Sequence, residues 1–373
     1  ACGRIGFLAV DEAHHMAQAG SGKREAYDKL RDIVAMMGNP VVLAATATAP
    51  DETAARIAEV LDVREVVYDG ADRPNLRIDD RRSLRDKDSY LASIVASGEK
   101  TIVYVNSRMG SVDLTRSLRR MVPQIAMQIG FYNAGLSRDE RSRIERLFRE
   151  NVLRVLVCTS AFGEGVDIAD VRHVVLYGMP FSEVEFNQIS GRAGRNGQDA
   201  CIHLLFGSRD AAVNQDILRQ AAPEHDALGQ VYRELRCLQR DAESRSDAVR
   251  NEDVFFTMSD EELARVCNAR TPRFSVTPDV CASGMAVFEE LGLVRLRDAS
   301  TNGVARRQVH VCAFGGKVEL TDSVRYREGL DESEAFARFT EWVMRTPASS
   351  LRERLIRPIA PKGVLGEGES HVR

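Results

Sequence analysis

The first residues able to do chemistry stand near the start of the chain. In ACGRIGFLAVDEAHH a short apolar run, Ile5 to Val10, closes on Asp11 and Glu12, with Ala13 and His14 directly after. A carboxylate at the end of a buried strand can hold Mg2+, usually through water, against β- and γ-phosphate oxygens. A neighbouring Glu can orient or deprotonate the attacking water. Asp11 fits the first role and Glu12 the second. The competing reading is an acidic pair that starts a helix, since Asp and Glu favour the first turn.

Phosphoryl transfer also needs fixed positive charge. QISGRAGRNG, Gln188 to Gly197, supplies two arginines three positions apart among glycines that permit close backbone approach. Arg192 and Arg195 can meet a γ-phosphate with planar donors. The bland alternative is a Gly/Arg surface loop. Before it, CTSAFGEGVDIADV places Thr159 at a strand end and Gly165 and Asp167 in the following turn. Thr159 can touch a nucleic-acid phosphate, and Gly165 and Asp167 a nucleotide; the alternative is a structural β-to-α turn. In AATATAP, Thr46 and Thr48 can relay a change at the phosphate to a moving neighbour, although Thr in a turn also caps helices. GSGK at residues 20–23 is rejected as a phosphate-binding loop. The full pattern wants Gly, four residues, then Gly-Lys and Ser or Thr, whereas Ala17 and Arg24 stand at the outer positions.

These residues need elements to position them. Up to about residue 215 short apolar runs alternate with amphipathic stretches, the pattern of a parallel α/β sheet. Predicted strands are 5–10, 41–45, 63–68, 101–105, 126–132, 153–158, 173–177 and 202–206; predicted helices are 24–37, 51–61, 110–121, 138–151 and 183–190. Asp11, Thr46, Asn106 and Thr159 end strands, where doubly wound sheets bind ligands. Asp69–Asp88 is polar, contains Pro74 and reads as a linker. Past residue 208 the pattern is helical to about Arg240. Helices at 260–267 and 277–291 then precede two short β runs, 293–296 and 308–312, around a loop with Asn302 and Gly303, which suggests a winged helix. Residues 323–361 read as helical and Pro361–Arg373 as a loose tail.

The 373 residues allow two or three domains, and 44% apolar content is ordinary for a protein with real cores. The net charge of −4 gives no global sign of a nucleic-acid binder, but a basic groove can sit on an acidic protein. No stretch reaches the roughly 18 apolar residues of a membrane span. No signal peptide opens the chain. The seven cysteines form no C-x-x-C pair, so no zinc site is expected and a cytoplasmic location is the default.

The order of the motifs is more specific than any one of them. VDEAH, TAT, TIVYVNSR (Thr101–Arg108), YNAGL (Tyr132–Leu136), TSAFGEGVD and QISGRAGRNG follow the order of motifs II to VI in superfamily-two helicases. Together with TATA and DRPNL (Asp72–Leu76), they most resemble the RecQ family over roughly residues 5–215. The resemblance implies an α/β fold with a partial first RecA-like domain (1–70) and a complete second one (71–215). A helical connector (216–257), a winged-helix-like domain (258–315) and a helical segment with a flexible tail (316–373) would follow. It implies an ATP-dependent DNA helicase using ATP and Mg2+, with the ion held by Asp11 through water, acting 3′ to 5′ on single-stranded or forked DNA in recombination or repair. By the same resemblance Gln188 and His14 couple the domains, Thr46 and Thr48 link hydrolysis to DNA, and Ser107, Arg108, Asn133 and Thr159 contact the single strand.

The chain departs from that family in two places. The aromatic-rich loop after DEAH is reduced to Gln18 and Tyr27, and the four-Cys zinc site is missing. The arginines of the wing and its flanks, Arg295, Arg297, Arg306 and Arg307, are expected to meet phosphates, with a protein-docking wing as the alternative. RYREGL and RLIRPIAP also resemble a helicase segment fused behind a RecJ-type single-strand exonuclease, which would place a nuclease upstream of residue 1. The phosphate-binding loop is likewise expected before Ala1, so the chain by itself is expected to hydrolyse ATP negligibly. Two other readings compete: a DNA-binding or scaffold module with an inactive ATPase attached to such an exonuclease, and an RNA helicase of the DEAH type.

Overall fold

A computed structural model describes residues 5–16, 29–46, 51–67, 73–162, 168–245, 253–270, 275–300, 306–313 and 315–356. Two compact units divide the chain. The first takes in residues up to Asn214 and returns at Phe336; the second runs from Gln215 to Ala335.

The first unit opens with two parallel strands, β1 (Phe7–Val10) and β2 (Val41–Ala44), and helices α1 (Leu30–Met36) and α2 (Asp51–Leu61). A six-stranded, all-parallel sheet follows. Its strands are β3 (Leu76–Asp80), β4 (Thr101–Tyr104), β5 (Ile129–Tyr132), β6 (Val155–Cys158), β7 (His173–Leu176) and β8 (Ala200–Leu204), in the order β3-β8-β7-β4-β6-β5. Helices α3 (Lys87–Val95), α4 (Arg108–Met121), α5 (Arg138–Arg149) and α6 (Glu183–Ser190) connect them. This is a parallel α/β sheet, the class that the alternation of apolar runs and amphipathic stretches predicts. Every residue of TIVY in β4 and VLVC in β6 is buried, as continuous apolar runs demand in a sheet covered on both faces. Because the strands are parallel, all their carboxyl ends lie along one rim.

Local chemistry explains the helix starts. Ser107, Ser137 and Ser182 each accept a hydrogen bond from the third residue of the helix that follows. Ser137 and Glu140 form a reciprocal capping box.

The second unit contains the second half of α7 (Ser208–Ala221), then α8 (His225–Arg245), α9 (Asp260–Arg270) and α10 (Pro278–Glu290). A three-stranded antiparallel sheet of β9 (Phe256–Met258), β10 (Val294–Asp298) and β11 (Arg307–Val311) completes it, in the order β10-β11-β9. Leu228, Val231, Leu263, Met285, Phe288 and Val309 share its core. Helix α11 (Val324–Arg345) then leads back to the first unit, where α12 (Ala348–Ile356) ends the described chain.

Four expectations change. The stretch read as a linker holds β3: Leu76 is buried, but the charged LRIDD segment pairs on one side only, with β8, so its pattern is that of an edge strand. Residues 63–67 form no strand, and Val67 is almost wholly exposed. Residues 123–128 form a 3-10 turn after Pro123, delaying β5 to Ile129. The strand β9 was not expected, being only three residues long. Among the described residues no helix is long and apolar enough to cross a membrane.

Candidate functional site

The acidic pair sits at the end of β1. Glu12 has φ +50, a left-handed conformation that costs a non-glycine residue about 1 kcal/mol. Its amide donates to Asp11 Oδ1 at 2.9 Å. The next turn is anchored to β2: Ala13 N–H donates to the carbonyl of Ala45 at 2.9 Å, and Ala45 N–H to that of Val10 at 2.9 Å. Residues Ala13–Met16 form a 3-10 turn that buries Ala13 and Met16 against Ile57, Val60 and Leu61 of α2.

This packing fixes His14, which is 1% exposed. Its Nδ1 lies 3.1 Å from Thr46 Oγ1 and 3.3 Å from Glu12 Oε2. Its Nε2 lies 3.0 Å from the side-chain nitrogen of Gln188. Two oxygens face Nδ1 and an amide N–H faces Nε2, which assigns the ring proton to Nδ1 in the neutral imidazole. One histidine thus joins the acidic turn, the strand end carrying Thr46 and the helix carrying Gln188.

That helix, α6, buries Phe186 and Ile189 and ends on Gly191. Arg192 is half-buried and Arg195 exposed. Burial pushes the Tyr104 phenol and the Cys158 thiol well up, and the charge of Arg192 opposes both shifts. The loop backbone is held from outside. Arg73 donates to the carbonyls of Gly191, at 3.0 Å, and Ala193. Asn75 donates to those of Gly194 and Gln198, each at 2.8 Å. Burial, and then the neighbouring Arg195, push the Arg73 pKa down. Gly194 has φ +55, and a Cβ there would stand 2.6 Å from Asn75 Nδ2 and 2.8 Å from the Gln198 carbonyl. Sequence reasoning used RPN only as a junction mark; alternating polar side chains in R-P-N were the available signal.

Ser107, Arg108, Asn133 and Thr159 gather at the carboxyl ends of the neighbouring strands β4, β5 and β6. Two of these side chains are spent on the scaffold. Ser107 Oγ accepts from Gly110 N at 2.9 Å as a helix cap. Asn133 is 5% exposed, donates to Ser111 Oγ at 2.9 Å and accepts from Gly135 N at 2.9 Å. Thr159 is tied by backbone, its amide donating to the Tyr132 carbonyl at 3.2 Å. Arg108 is exposed on this rim. Thr48, Gly165, Asp167, the GSGK segment and the 361–373 tail lie outside the described residues.

In the second unit the arginines are paired. Arg295 meets Asp253, Arg306 meets Glu262 and Arg307 meets Asp260, while Arg297 lies 4.0 Å over the Phe255 ring. Among the described residues no group of three or more His, Cys, Asp or Glu side chains is arranged to hold a metal ion.

In sequence the chain is similar to known helicases. The helicase conserved C-terminal domain matches residues 86–197. The chain is 30% identical over 236 residues to a probable ATP-dependent DNA helicase RecS of Bacillus subtilis, covering 62% of this chain and 47% of that protein. It is 31% identical over 218 residues to the ATP-dependent DNA helicase RecQ of Pasteurella multocida, covering 58% and 34%. A putative ATP-dependent RNA helicase R290 of Acanthamoeba polyphaga mimivirus is 28% identical over 220 residues, covering 58% and 39%. The chain spans less than half the length of each of these relatives. The resemblance to RecQ-like superfamily-two helicases carried by the motifs extends to the sequence around them.

Proposed function

We propose that this chain is the part of a RecQ-type, ATP-dependent DNA helicase that senses the γ-phosphate and grips one DNA strand. The contact between His14 and Gln188 carries the reading. It links the acidic turn to the arginine helix, so a change at one phosphate-facing group is felt at the other. In the mechanism, Glu12 orients the attacking water and Arg192 and Arg195 stabilise charge developing on the γ-phosphate. His14 passes the state of that turn to Gln188 on one side and Thr46 on the other. Arg108 and the backbone ends of β4 to β6 hold the strand's phosphates, while Ser107 and Asn133 keep the loops in shape. Closing and opening of the two RecA-like domains on bound ATP would advance the protein along the strand, 3′ to 5′.

Mg2+ fits the residues present. Mg2+ takes one or two carboxylates, several waters and substrate phosphates, so the single carboxylate of Asp11, exposed at a strand end, suffices without a protein cage. Bound there, the ion would neutralise phosphate charge. The helices α8 to α10 and the β10–β11 hairpin support a winged-helix reading of the second unit. Its ion-paired arginines favour a structural or docking role over a bare phosphate grip.

The test is strand separation by the full-length protein on a forked DNA duplex and on an RNA duplex of the same sequence, with ATP. Unwinding of DNA and not RNA is expected. RNA unwinding without DNA unwinding would overturn the assignment. For the isolated chain, Arg108→Ala should weaken single-stranded DNA binding and lower the salt slope by about one.

A further inference from the structure

The segment that returns to the first unit, from Phe336 to α12, lies against the arginine helix and the residues that hold its loop. Arg352 donates through Nε to the Leu76 carbonyl at 2.7 Å and through Nη2 to the Pro74 carbonyl at 3.0 Å. Residues 73–76 are therefore held on two sides. Their carbonyls at 74 and 76 face Arg352, and their side chains at 73 and 75 reach the carbonyls of Gly191, Ala193, Gly194 and Gln198. A spacer four residues long thus stands between Arg352 and the loop bearing Arg192 and Arg195.

The same segment holds the other end of α6. Arg354 pairs with Glu183 in its first turn and stacks 5.0 Å over the Trp342 ring. Trp342 meets the buried Phe186 edge-on, centroids 6.3 Å apart. From the sheet side, Arg82 donates to the carbonyls of Val343 and Thr346, where α11 ends. The Arg82 contacts cap α11, whereas those of Arg352, Arg354 and Trp342 reach residues that frame the arginine loop or its helix.

We infer that the carboxy-terminal strap, residues 336–356, is a positioning device for the arginine loop, with Arg352 as its principal positioning residue. This rests on the proposed role of Arg192 and Arg195 in phosphoryl transfer. Arg352 acts only through residues 73–76. When it lets go, Arg73 and Asn75 lose their fixed backbone, and the arginines lose the geometry that a transition-state contact needs, since small misplacements of a catalytic group are costly. Docking of the strap would then set the rate of hydrolysis without altering nucleotide affinity.

Two measurements on Arg352→Ala decide this, with Arg352→Lys as the milder variant should the first not fold. In the 373-residue chain, hydrogen exchange is followed at the amides of Gly194 and Asn196, which donate to the carbonyls of Val171 and Ala169. Exchange there should rise at least about tenfold, with β4 and β6 amides unchanged. In the full-length protein, kcat for DNA-stimulated ATP hydrolysis should fall about tenfold or more with KM for ATP unchanged, the mark of an interaction made only in the transition state. Arg352→Lys should recover part of both, because an ammonium replaces the charge but not the fork that spans two carbonyls. Equal loss of protection throughout the sheet, or an unchanged kcat with a lowered Tm, would reduce the strap to a structural brace. If the wild-type protein hydrolyses no ATP, the proposed function fails, and the exchange measurement still decides whether the strap holds the loop.

Discussion

The side-chain amide of Gln188 donates to Nε2 of His14 across 3.0 Å, between residues 174 positions apart. His14 is buried, with Thr46 and Glu12 at its Nδ1 and Gln188 at its Nε2. Gln188→Ala and His14→Ala are each expected to lower DNA-stimulated ATP hydrolysis. The double variant should be little worse than either single one, giving a coupling energy of about 1–2 kcal/mol. A double-mutant cycle on kcat measures it, and strict additivity would show that the contact carries no signal.

Arg192→Ala and Arg195→Ala are predicted to reduce the hydrolysis rate steeply, toward the roughly 10³–10⁵-fold loss of an arginine finger for whichever residue meets the γ-phosphate. Single-stranded DNA binding should persist in both. Lysine at the same position should not restore the rate, because a point charge lacks the planar fork. Single-turnover hydrolysis beside a DNA-binding titration tests the pair.

Two glycines of the arginine loop should answer differently to alanine. Gly194→Ala meets Asn75, the Gln198 carbonyl and Ala200 Cβ, all under 3.0 Å, in a left-handed backbone. It should break the loop and abolish hydrolysis. Gly197 has φ +77 but open space around the added Cβ. Gly197→Ala should cost only about 1 kcal/mol of stability and leave activity nearly intact. Chemical denaturation and ATP hydrolysis of both variants provide the comparison.

Acid sensitivity should trace to His203 in β8. A polar chain runs from Glu99 to His173 (2.7 Å), to His203 (3.0 Å) and to Tyr90 (3.0 Å), with Asp79 and Arg81 beyond. Burial, and then the adjacent His173, lower the His203 pKa from 6.5 to about 4. The unfolded ring therefore takes up its proton at higher pH than the folded one. The stability is fully present above pH 6.5 and is lost as pH falls toward 4, by about 3 kcal/mol at most. Thermal unfolding of His203→Asn should show a flatter Tm profile between those pH values. An unchanged profile would assign the acid sensitivity elsewhere.

The order of the motifs, the parallel α/β pattern and most helix limits were legible in the sequence, because they rest on local chemistry. Apolar runs specify buried strands, and the serines before α4, α5 and α6 satisfy those helices' own amides. Asp51–Leu61 and Glu183–Ser190 form helices over the same residues that the pattern marks. The edge strand β3 was not legible, since one-sided pairing leaves its residues charged. The positions at which His14, Gln188, Ser107 and Asn133 stand followed from motif resemblance. That Asn133 turns inward and Ser107 caps its helix, while Arg108 stays exposed, was decided at the strand ends. Arg352 had no local signature, and Arg73 and Asn75 had only the alternation of R-P-N, which does not name their partners. Their partners are backbone carbonyls 118 or more positions away. A carbonyl looks the same in every residue, so only the tertiary fold could say which ones these side chains hold.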